Sequence, residues 1–137
     1  MDLGLKDKVI IVTGGAKGIG KGIVSLLAKE GARPVIIGRN KSSIEKVINE
    51  YEKMRLKVGY AYAELTSPEQ CKKSVREVLG NYGRIDGLVN NAGVNDVVGL
   101  EHGNYNDFLD SINRNLTHYY LMSQLVLPEL QKHKGSI

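Results

Sequence analysis

The chain has 137 residues, the size of a single domain that can bury a core of its own. Its hydrophobic content of 42% and charged content of 25% are ordinary for a globular protein, and its longest apolar runs are only strand-sized, so we expect no membrane-spanning segment. The net charge of +4 comes from lysines and arginines scattered through every segment, without a basic block, which argues against a nucleic-acid partner.

The cysteine and histidine content predicts a reducing compartment and no metal chemistry. Cys71 is the single cysteine, which excludes an internal disulfide and favours a cytoplasmic location. Residues 1–8 lack the apolar segment of a signal peptide. His102, His118 and His133 have neither companion cysteines nor the HExxH spacing of zinc enzymes. We therefore expect no metal site, and interpret these histidines as surface or partly buried side chains.

Strand-like and helical patterns alternate along the chain. The predicted strands are residues 8–13, 34–37, 58–63 and 85–89. The predicted helices between them have these apolar faces: Ile19, Ile23, Leu26 and Leu27; Ile44, Val47, Ile48 and Tyr51; Cys71, Val75, Val78, Leu79 and Tyr82. A long helical pattern then runs from Asn104 to about His133, with a kink expected near Pro128. Residues 135–137 look like the start of a fifth strand.

Helix-terminal residues mark the same boundaries. Gly31 is placed to end the first helix. Ser42 and Glu45 have the spacing of a capping box for the second helix. Ser67 precedes Pro68, which suits the first position of the third helix because its missing N–H costs nothing there.

This alternation predicts an α/β fold with a doubly wound, Rossmann-type parallel sheet, because short apolar strands separated by helices are joined by right-handed crossovers. We expect one dinucleotide-binding domain over residues 1–137, incomplete because it stops after the fourth strand and the following long helix. Ligands of such sheets bind outside the carboxyl ends of the strands. The loops after the strands are therefore the candidate functional segments.

The loop after the first strand, residues 13–20, reads Thr-Gly-Gly-Ala-Lys-Gly-Ile-Gly. Glycines let the backbone approach a pyrophosphate, toward which the following helix directs its free N–H groups and positive dipole. The alternative is a tight turn without a ligand. Phosphate binding is favoured because the cluster lies between a buried strand and an amphipathic helix.

A P-loop of a nucleotide triphosphatase is a further alternative, since Gly15 and Gly20-Lys21 nearly have its spacing. However, Gly22 stands where a serine or threonine would hold magnesium, and Asp86 precedes its strand instead of ending one. Both differences disfavour the P-loop.

The motif Thr-Gly-x-x-x-Gly-x-Gly at residues 13–20, together with Asn90-Asn91-Ala92-Gly93 after the fourth strand, strongly resembles the short-chain dehydrogenase/reductase family. The resemblance extends over the whole chain. It implies an NAD(P)-dependent oxidoreductase that transfers hydride between the nicotinamide and a secondary alcohol or carbonyl. It also implies a small-molecule substrate and a homo-oligomer, either a tetramer or a dimer, in the full-length form.

The resemblance also implies roles for individual residues. It places seven residues at the cofactor: Gly14, Lys17, Gly18 and Ile19 at its phosphates and ribose, Glu64 and Leu65 around the adenine, and Asn91 beside the nicotinamide ribose. Glu64 stands where the family usually has aspartate. Asn115 matches the asparagine of the family's catalytic set, which anchors a water that relays protons. Turn chemistry is the alternative for Asn90 and Asn91, since Asn tolerates left-handed backbone, and a structural role is the alternative for Asn115.

The family's catalytic serine and Tyr-x-x-x-Lys pair are not found in these 137 residues. No tyrosine from Tyr51 to Tyr120 has a lysine four positions later, and residues 135–137 stand where the family continues to its serine. We therefore expect the chain by itself to hold part of a cofactor without turnover. The alternative is a short, non-catalytic nucleotide-binding or partner-binding derivative of the family.

The residues after the second and fourth strands also favour one cofactor and one class of substrate. Arg39-Asn40 follows the second strand, with Lys17 across from it, where an acidic residue would repel a 2′-phosphate. Two cations there favour NADP(H), with NAD(H) as the alternative, although Arg39 could be a surface residue. Asn95 and Asp96 lie on a loop that borders the substrate pocket in this family, and polar side chains suit a hydroxyl-rich ligand. The segments 91–101 and 114–120 resemble sugar dehydrogenases that oxidise L-fucose and related aldoses.

Overall fold

The computed structural model describes residues 2–137, which form four strands and five helices. The strands are β1 (Val9–Thr13), β2 (Arg33–Gly38), β3 (Gly59–Tyr62) and β4 (Gly87–Val89). The helices are α1 (Gly18–Lys29), α2 (Lys41–Lys53), α3 (Pro68–Tyr82), α4 (Tyr105–Ile112) and α5 (His118–His133), with a π-helical turn at Asn113–Thr117 between the last two. Within this part of the chain, no helix is both long enough and apolar enough to cross a bilayer.

The four strands form one parallel sheet in the order β3-β2-β1-β4. Ile11 of β1 lies between Val35 of β2 and Leu88 of β4. The strand order reverses direction at β1, so the loops after β1 and β4 diverge there and leave a crevice at the carboxyl ends of the strands. The predicted Rossmann-type fold is confirmed. Ser136 bridges to Gly87 of β4 in parallel, as expected for the start of a fifth strand.

Helices cover both faces of the sheet because alternate strand residues point to opposite sides. Ile11, Val35 and Ile37 belong to one core cluster, which α3 and α5 complete with Cys71, Val75, Val78, Met122, Val126 and Leu130. Val12 and Ile36 belong to the other cluster, which α1 and α2 complete with Val24, Ile44, Val47, Ile48 and Tyr51. The faces predicted for the second and third helices are therefore confirmed.

The face predicted for α1 is correct for Ile23 and Leu27, which are partly buried and pack against the core, and wrong for Ile19 and Leu26, which are 80% and 65% exposed. The fully buried residues of this helix are Gly20, Val24 and Ala28. The buried stripe keeps four-residue spacing but uses small side chains. The reason is a close approach to the glycine loop, since a Cβ at position 20 would lie 2.5 Å from the Gly14 carbonyl oxygen.

The helix termini agree with the sequence except at α2. Gly31 follows α1 with φ +82°, and Ser67 caps α3 ahead of Pro68. The cap of α2 is instead Asn40, whose side chain accepts from the backbone N–H of Ser43 at 2.9 Å. Asn is as good an N-cap as serine, and the helix starts two residues earlier than the capping box predicts.

The long helical stretch is irregular at the π-helical turn Asn113–Thr117, which ends eleven residues before Pro128, where the kink was expected. The helix α5 continues through Pro128. A π-helical turn inserts one extra residue into a helix and is frequent at functional sites.

Asp86 joins the start of β1 to the segment before β4. Its buried carboxylate accepts from the Val9 backbone N–H at 2.9 Å, from Arg84 Nε at 2.8 Å and from Lys8 Nζ at 3.4 Å. Burial by itself would raise the pKa of Asp86, but Arg84, the Val9 N–H and Lys8 together hold that pKa below its ordinary value of 3.8.

A carboxyl group whose pKa is depressed by folding stabilises the fold above its unfolded pKa, and that stabilisation is lost as the pH falls through the folded pKa. We therefore expect the free energy of unfolding to fall with acidification below about pH 4, as Asp86 is protonated. Asp86→Asn is expected to cost about 1–3 kcal/mol at pH 7 and to flatten this dependence. Urea denaturation between pH 2 and 7 measures both effects, with Asp110→Asn on the exposed side of α4 as the control. Equal pH slopes for wild type and Asp86→Asn would contradict the assignment.

Candidate functional site

A cleft of about 600 Å³ lies at the carboxyl ends of the strands. Its walls are the loop after β1, the ends of β2, β3 and β4, and one side of the helical stretch around the π-helical turn. The residues predicted to contact the cofactor all line it: Gly14, Lys17, Gly18, Ile19, Arg39, Asn40, Glu64, Leu65 and Asn91. Asn95, Asp96 and Asn115 are not among the lining residues.

The glycine loop forms a cradle that side chains would fill. Gly14 and Gly18 have φ of +67° and +55°, which favours glycine. A Cβ at Gly14 would lie 3.0 Å from Ala92 Cα, and one at Gly20 would lie 2.5 Å from Asn91 Nδ2. The close approach between the loops after β1 and β4 therefore requires glycine at positions 14 and 20.

The helix α1 begins at this cradle with its N-terminus uncapped. Asn40, Ser67 and Asn104 each accept a backbone N–H at the start of α2, α3 and α4, but no side chain in residues 2–137 does so for α1. Its first N–H groups stay available for an anion, and the helix dipole adds to the attraction. The Lys17 side chain, at the N-cap position, brings a full positive charge to the same place.

Thr13 and Asn91 fasten the loop after β1 to the loop after β4. The buried Thr13 hydroxyl accepts from the backbone N–H groups of Asn91 at 3.0 Å and Ala92 at 3.1 Å, and donates to the Val89 carbonyl at 3.4 Å. The Asn91 amide donates to the Thr13 carbonyl at 2.9 Å. The sequence motifs predict no role for the Thr13 side chain, although a polar side chain at the end of a buried apolar strand is a usable signal.

Arg39 and Glu64 face each other at the ends of β2 and β3. Arg39 Nη1 lies 2.9 Å from Glu64 Oε2, and the arginine side chain is 68% exposed. Burial tends to raise the pKa of Glu64, but Arg39 and the Thr66 backbone N–H outweigh it, so the pKa is lowered and the carboxylate is ionised. The ion pair uses part of the guanidinium, which has five N–H donors. Arg39 therefore keeps donors for a further anion.

Asn115 lies in the π-helical turn and ties it to the loop after β4. Its Oδ1 accepts from the Val94 backbone N–H at 2.8 Å, and its Nδ2 donates to the Ser111 carbonyl at 3.1 Å. A Cβ at Gly93 would lie 2.9 Å from Asn115 Oδ1, so glycine permits this contact. Asn115 therefore fixes the position of the loop after β4 at the edge of the cleft without lining the cleft itself.

The structure does not bring Asn95 and Asp96 into the cleft. Asp96 Oδ1 accepts from Ser111 Oγ at 3.0 Å, and its Oδ2 lies 3.1 Å from Arg114 Nη2. These contacts turn the carboxylate toward the helical stretch, where it neutralises Arg114. Asn95 is exposed on the same loop.

The position of His118 differs most from the expectation of a surface or partly buried residue. It is 2% exposed and lines the cleft. Its Nε2 lies 3.0 Å from the Arg114 carbonyl oxygen, and burial lowers its pKa despite the opposing effects of that carbonyl and Glu64. The four-residue spacing of the buried side chains of α5 was the available signal: His118, Met122, Val126 and Leu130.

No group of three or more His, Cys, Asp and Glu side chains within residues 2–137 is placed to hold a metal ion.

The fold, the glycine cradle and the uncapped α1 together have the arrangement that is typical of dinucleotide sites in Rossmann-type folds. The family model for short chain dehydrogenases matches residues 8–137, and the chain belongs to this family.

The chain is 37% identical over 134 residues to a 3-oxoacyl-(acyl-carrier-protein) reductase from Thermotoga maritima, covering 97% of this chain and 54% of the reductase. It is 32% identical over 131 residues to L-fucose dehydrogenase from Bos taurus, covering 95% and 47% respectively. The crystal structure of Cj0485 dehydrogenase is similar with a TM-score of 0.88 and 41% identity, over 100% of this chain and 52% of that chain. The chain thus spans about half the length of the curated relatives it matches.

Proposed function

We propose that this chain carries the dinucleotide-binding site of an NAD(P)-dependent oxidoreductase that transfers hydride between the nicotinamide and a secondary alcohol or carbonyl. The observation that carries the proposal is the glycine cradle in front of the uncapped N-terminus of α1. Family membership supports it, and the cradle matches a pyrophosphate in both shape and charge.

Each part of the proposed cofactor has its own set of residues in the cleft. The first N–H groups of α1 and the Lys17 ammonium bind the phosphates, while Gly14, Gly18 and Ile19 keep the backbone close to them. Glu64 and Leu65 frame the adenine. Asn91 holds the loop beside the nicotinamide ribose in place through its bonds to β1. The bound dinucleotide supplies the hydride chemistry, and Asn115 anchors the water that relays protons.

NADP(H) is the favoured cofactor, with NAD(H) as the alternative. Arg39 and Asn40 lie at the end of β2, where the adenosine ribose binds in dinucleotide folds. Arg39 retains free donors beside its bond to Glu64, and Lys17 adds a second cation to the cleft. Both charges attract a 2′-phosphate.

For the substrate, we propose an aldose such as L-fucose. The support is the resemblance of the segments at 91–101 and 114–120 to sugar dehydrogenases, together with the similarity to bovine L-fucose dehydrogenase. The alternative is a short, non-catalytic nucleotide-binding or partner-binding derivative of the family.

Dinucleotide binding, followed by the fluorescence of the reduced nicotinamide, tests this function. We expect the 137-residue chain to bind NADPH more tightly than NADH and to show no turnover with aldoses or secondary alcohols. Arg39→Asp should weaken NADPH binding by about 10- to 100-fold, because it removes a charge-assisted hydrogen bond, while NADH binding holds or improves. Arg76→Asp on the exposed face of α3 makes the same charge change outside the cleft and should leave both affinities unaltered. Absence of binding by either dinucleotide would refute the proposed function; unchanged NADPH affinity in Arg39→Asp would refute the role of Arg39 only.

A further inference from the structure

The segment between β4 and α4 is held by side-chain contacts and not by regular structure. Residues 90–99 belong to neither a helix nor a strand. Within this segment Val97 has a left-handed backbone with φ +55°, which is unfavourable for a β-branched residue. Such a conformation persists only where neighbouring contacts fix the chain. Val94 and Asp96, which precede it, make contacts of this kind with the helical stretch.

Asp96 contacts the helical stretch on both sides of the point where α4 ends and the π-helical turn begins. Ser111 lies in the last turn of α4, with its Oγ 3.0 Å from Asp96 Oδ1. Arg114 lies in the π-helical turn, with its Nη2 3.1 Å from Asp96 Oδ2. The Asp96 side chain is only 15% exposed. One covered carboxylate therefore joins the loop after β4 to both parts of the helical stretch.

The Ser111 hydroxyl has its direction set by Asp96. Because a carboxylate only accepts hydrogen bonds, Ser111 donates its hydrogen to Asp96 and presents a lone pair to Asn115. Asn115 Nδ2 lies 3.5 Å from this hydroxyl oxygen and donates to the Ser111 carbonyl at 3.1 Å. Two acceptors at this end of the amide favour its nitrogen here. The other end is then the oxygen, which accepts from the Val94 backbone N–H at 2.8 Å.

We propose that Asp96 is a positioning residue, which fixes the orientation of the Asn115 amide through the Ser111 hydroxyl. This inference rests on the proposed function, in which Asn115 anchors the water that relays protons. Without the carboxylate, the hydroxyl rotates and donates toward Asn115, so the amide turns over in part of the molecules. Its NH2 group then meets the Val94 N–H, two donors without an acceptor between them. The contact between the π-helical turn and the loop after β4 is lost.

Hydrogen exchange and NMR spectra of the ligand-free chain test the inference. We expect Asp96→Ala and Ser111→Ala each to speed exchange of the Val94 backbone amide by about 10- to 100-fold and to move the side-chain amide resonances of Asn115. The amide of Ile11, in the centre of the sheet, should exchange as in wild type.

Three further variants show whether the effect passes through the hydroxyl. Ser111→Thr keeps the hydroxyl and should match wild type at Val94. The double variant of Asp96→Ala with Ser111→Ala should exchange no faster than either single variant, because both changes break the same chain of hydrogen bonds. Asp110→Ala removes a carboxylate from the exposed side of α4 and should alter neither readout.

Wild-type exchange at Val94 in both single alanine variants would overturn the inference. An effect of Asp96→Ala without one of Ser111→Ala would also overturn it, since the ion pair of Asp96 with Arg114 would then be sufficient. Equal acceleration at Ile11 would overturn it as well, because Asp96 would then only stabilise the fold. Ser111→Ala changes a partly exposed position, so it decides the question if Asp96→Ala does not fold. These measurements use no ligand, so a failure to bind NADPH contradicts the proposed function alone.

Discussion

Gly20→Ala is expected to lower the affinity for NADPH by about 100-fold or more. The added methyl group would lie 2.5 Å from the Gly14 carbonyl oxygen and 2.5 Å from Asn91 Nδ2. Neither neighbour can move cheaply, because one is backbone and the other is bonded to the Thr13 carbonyl at 2.9 Å. The methyl group therefore pushes apart the two loops that form the cleft.

Gly22→Ala provides a matched control on the same helix. A Cβ at Gly22 meets no atom within 4 Å, and the residue is exposed. Both substitutions bring the gain in helix propensity of alanine over glycine, roughly 0.5–1 kcal/mol. Gly22→Ala should therefore bind NADPH like wild type and unfold at a slightly higher temperature. If Gly20→Ala binds NADPH as tightly as Gly22→Ala, the close approach of α1 to the loops is not needed for binding.

The sequence predicts the fold well because its elements repeat a strong local pattern. Buried strands such as Val9–Thr13 and amphipathic helices such as Lys41–Lys53 are each specified by their own residues. The face of α1 was predicted only in part because periodicity ranks positions by hydrophobicity. At Gly20 the close approach to the glycine loop and to Asn91 requires a residue without a side chain instead.

The lining of the cleft was likewise predictable from motifs, since the glycine loop and Asn91 follow strands whose ends meet at one edge of the sheet. The contacts between side chains were not. The ion pair of Arg39 with Glu64 joins two loops 25 residues apart, and Asp96 meets Ser111 and Arg114 across a loop without regular structure. Such pairings depend on tertiary distances, which no local pattern carries.

We expect the second large effect at the Thr13 hydroxyl, which joins the loop after β1 to the loop after β4. Removing this hydroxyl should lower both the free energy of unfolding and the affinity for the dinucleotide. Thr13→Val keeps the shape of the buried side chain but removes the acceptor of the Asn91 and Ala92 backbone N–H groups. Each of the two orphaned N–H groups costs about 1–3 kcal/mol, so we expect the free energy of unfolding to fall by about 2–6 kcal/mol, a large part of the roughly 5–15 kcal/mol typical of a domain.

Thr13→Ser separates this cost from a simple loss of packing. It keeps the hydroxyl and deletes one methyl group, which costs roughly 1 kcal/mol in a core. Urea denaturation measures both variants, and hydrogen exchange at the Asn91 and Ala92 amides shows whether the joint opens locally. We expect faster exchange and weaker NADPH binding in Thr13→Val, with near-normal values in Thr13→Ser. If Thr13→Val unfolds with the free energy of wild type and Thr13→Ser is the less stable variant, the methyl group, and not the hydroxyl, accounts for the contribution of Thr13. The loops would then be held together by the Asn91 side chain alone, whose amide donates to the Thr13 carbonyl whichever side chain stands at position 13.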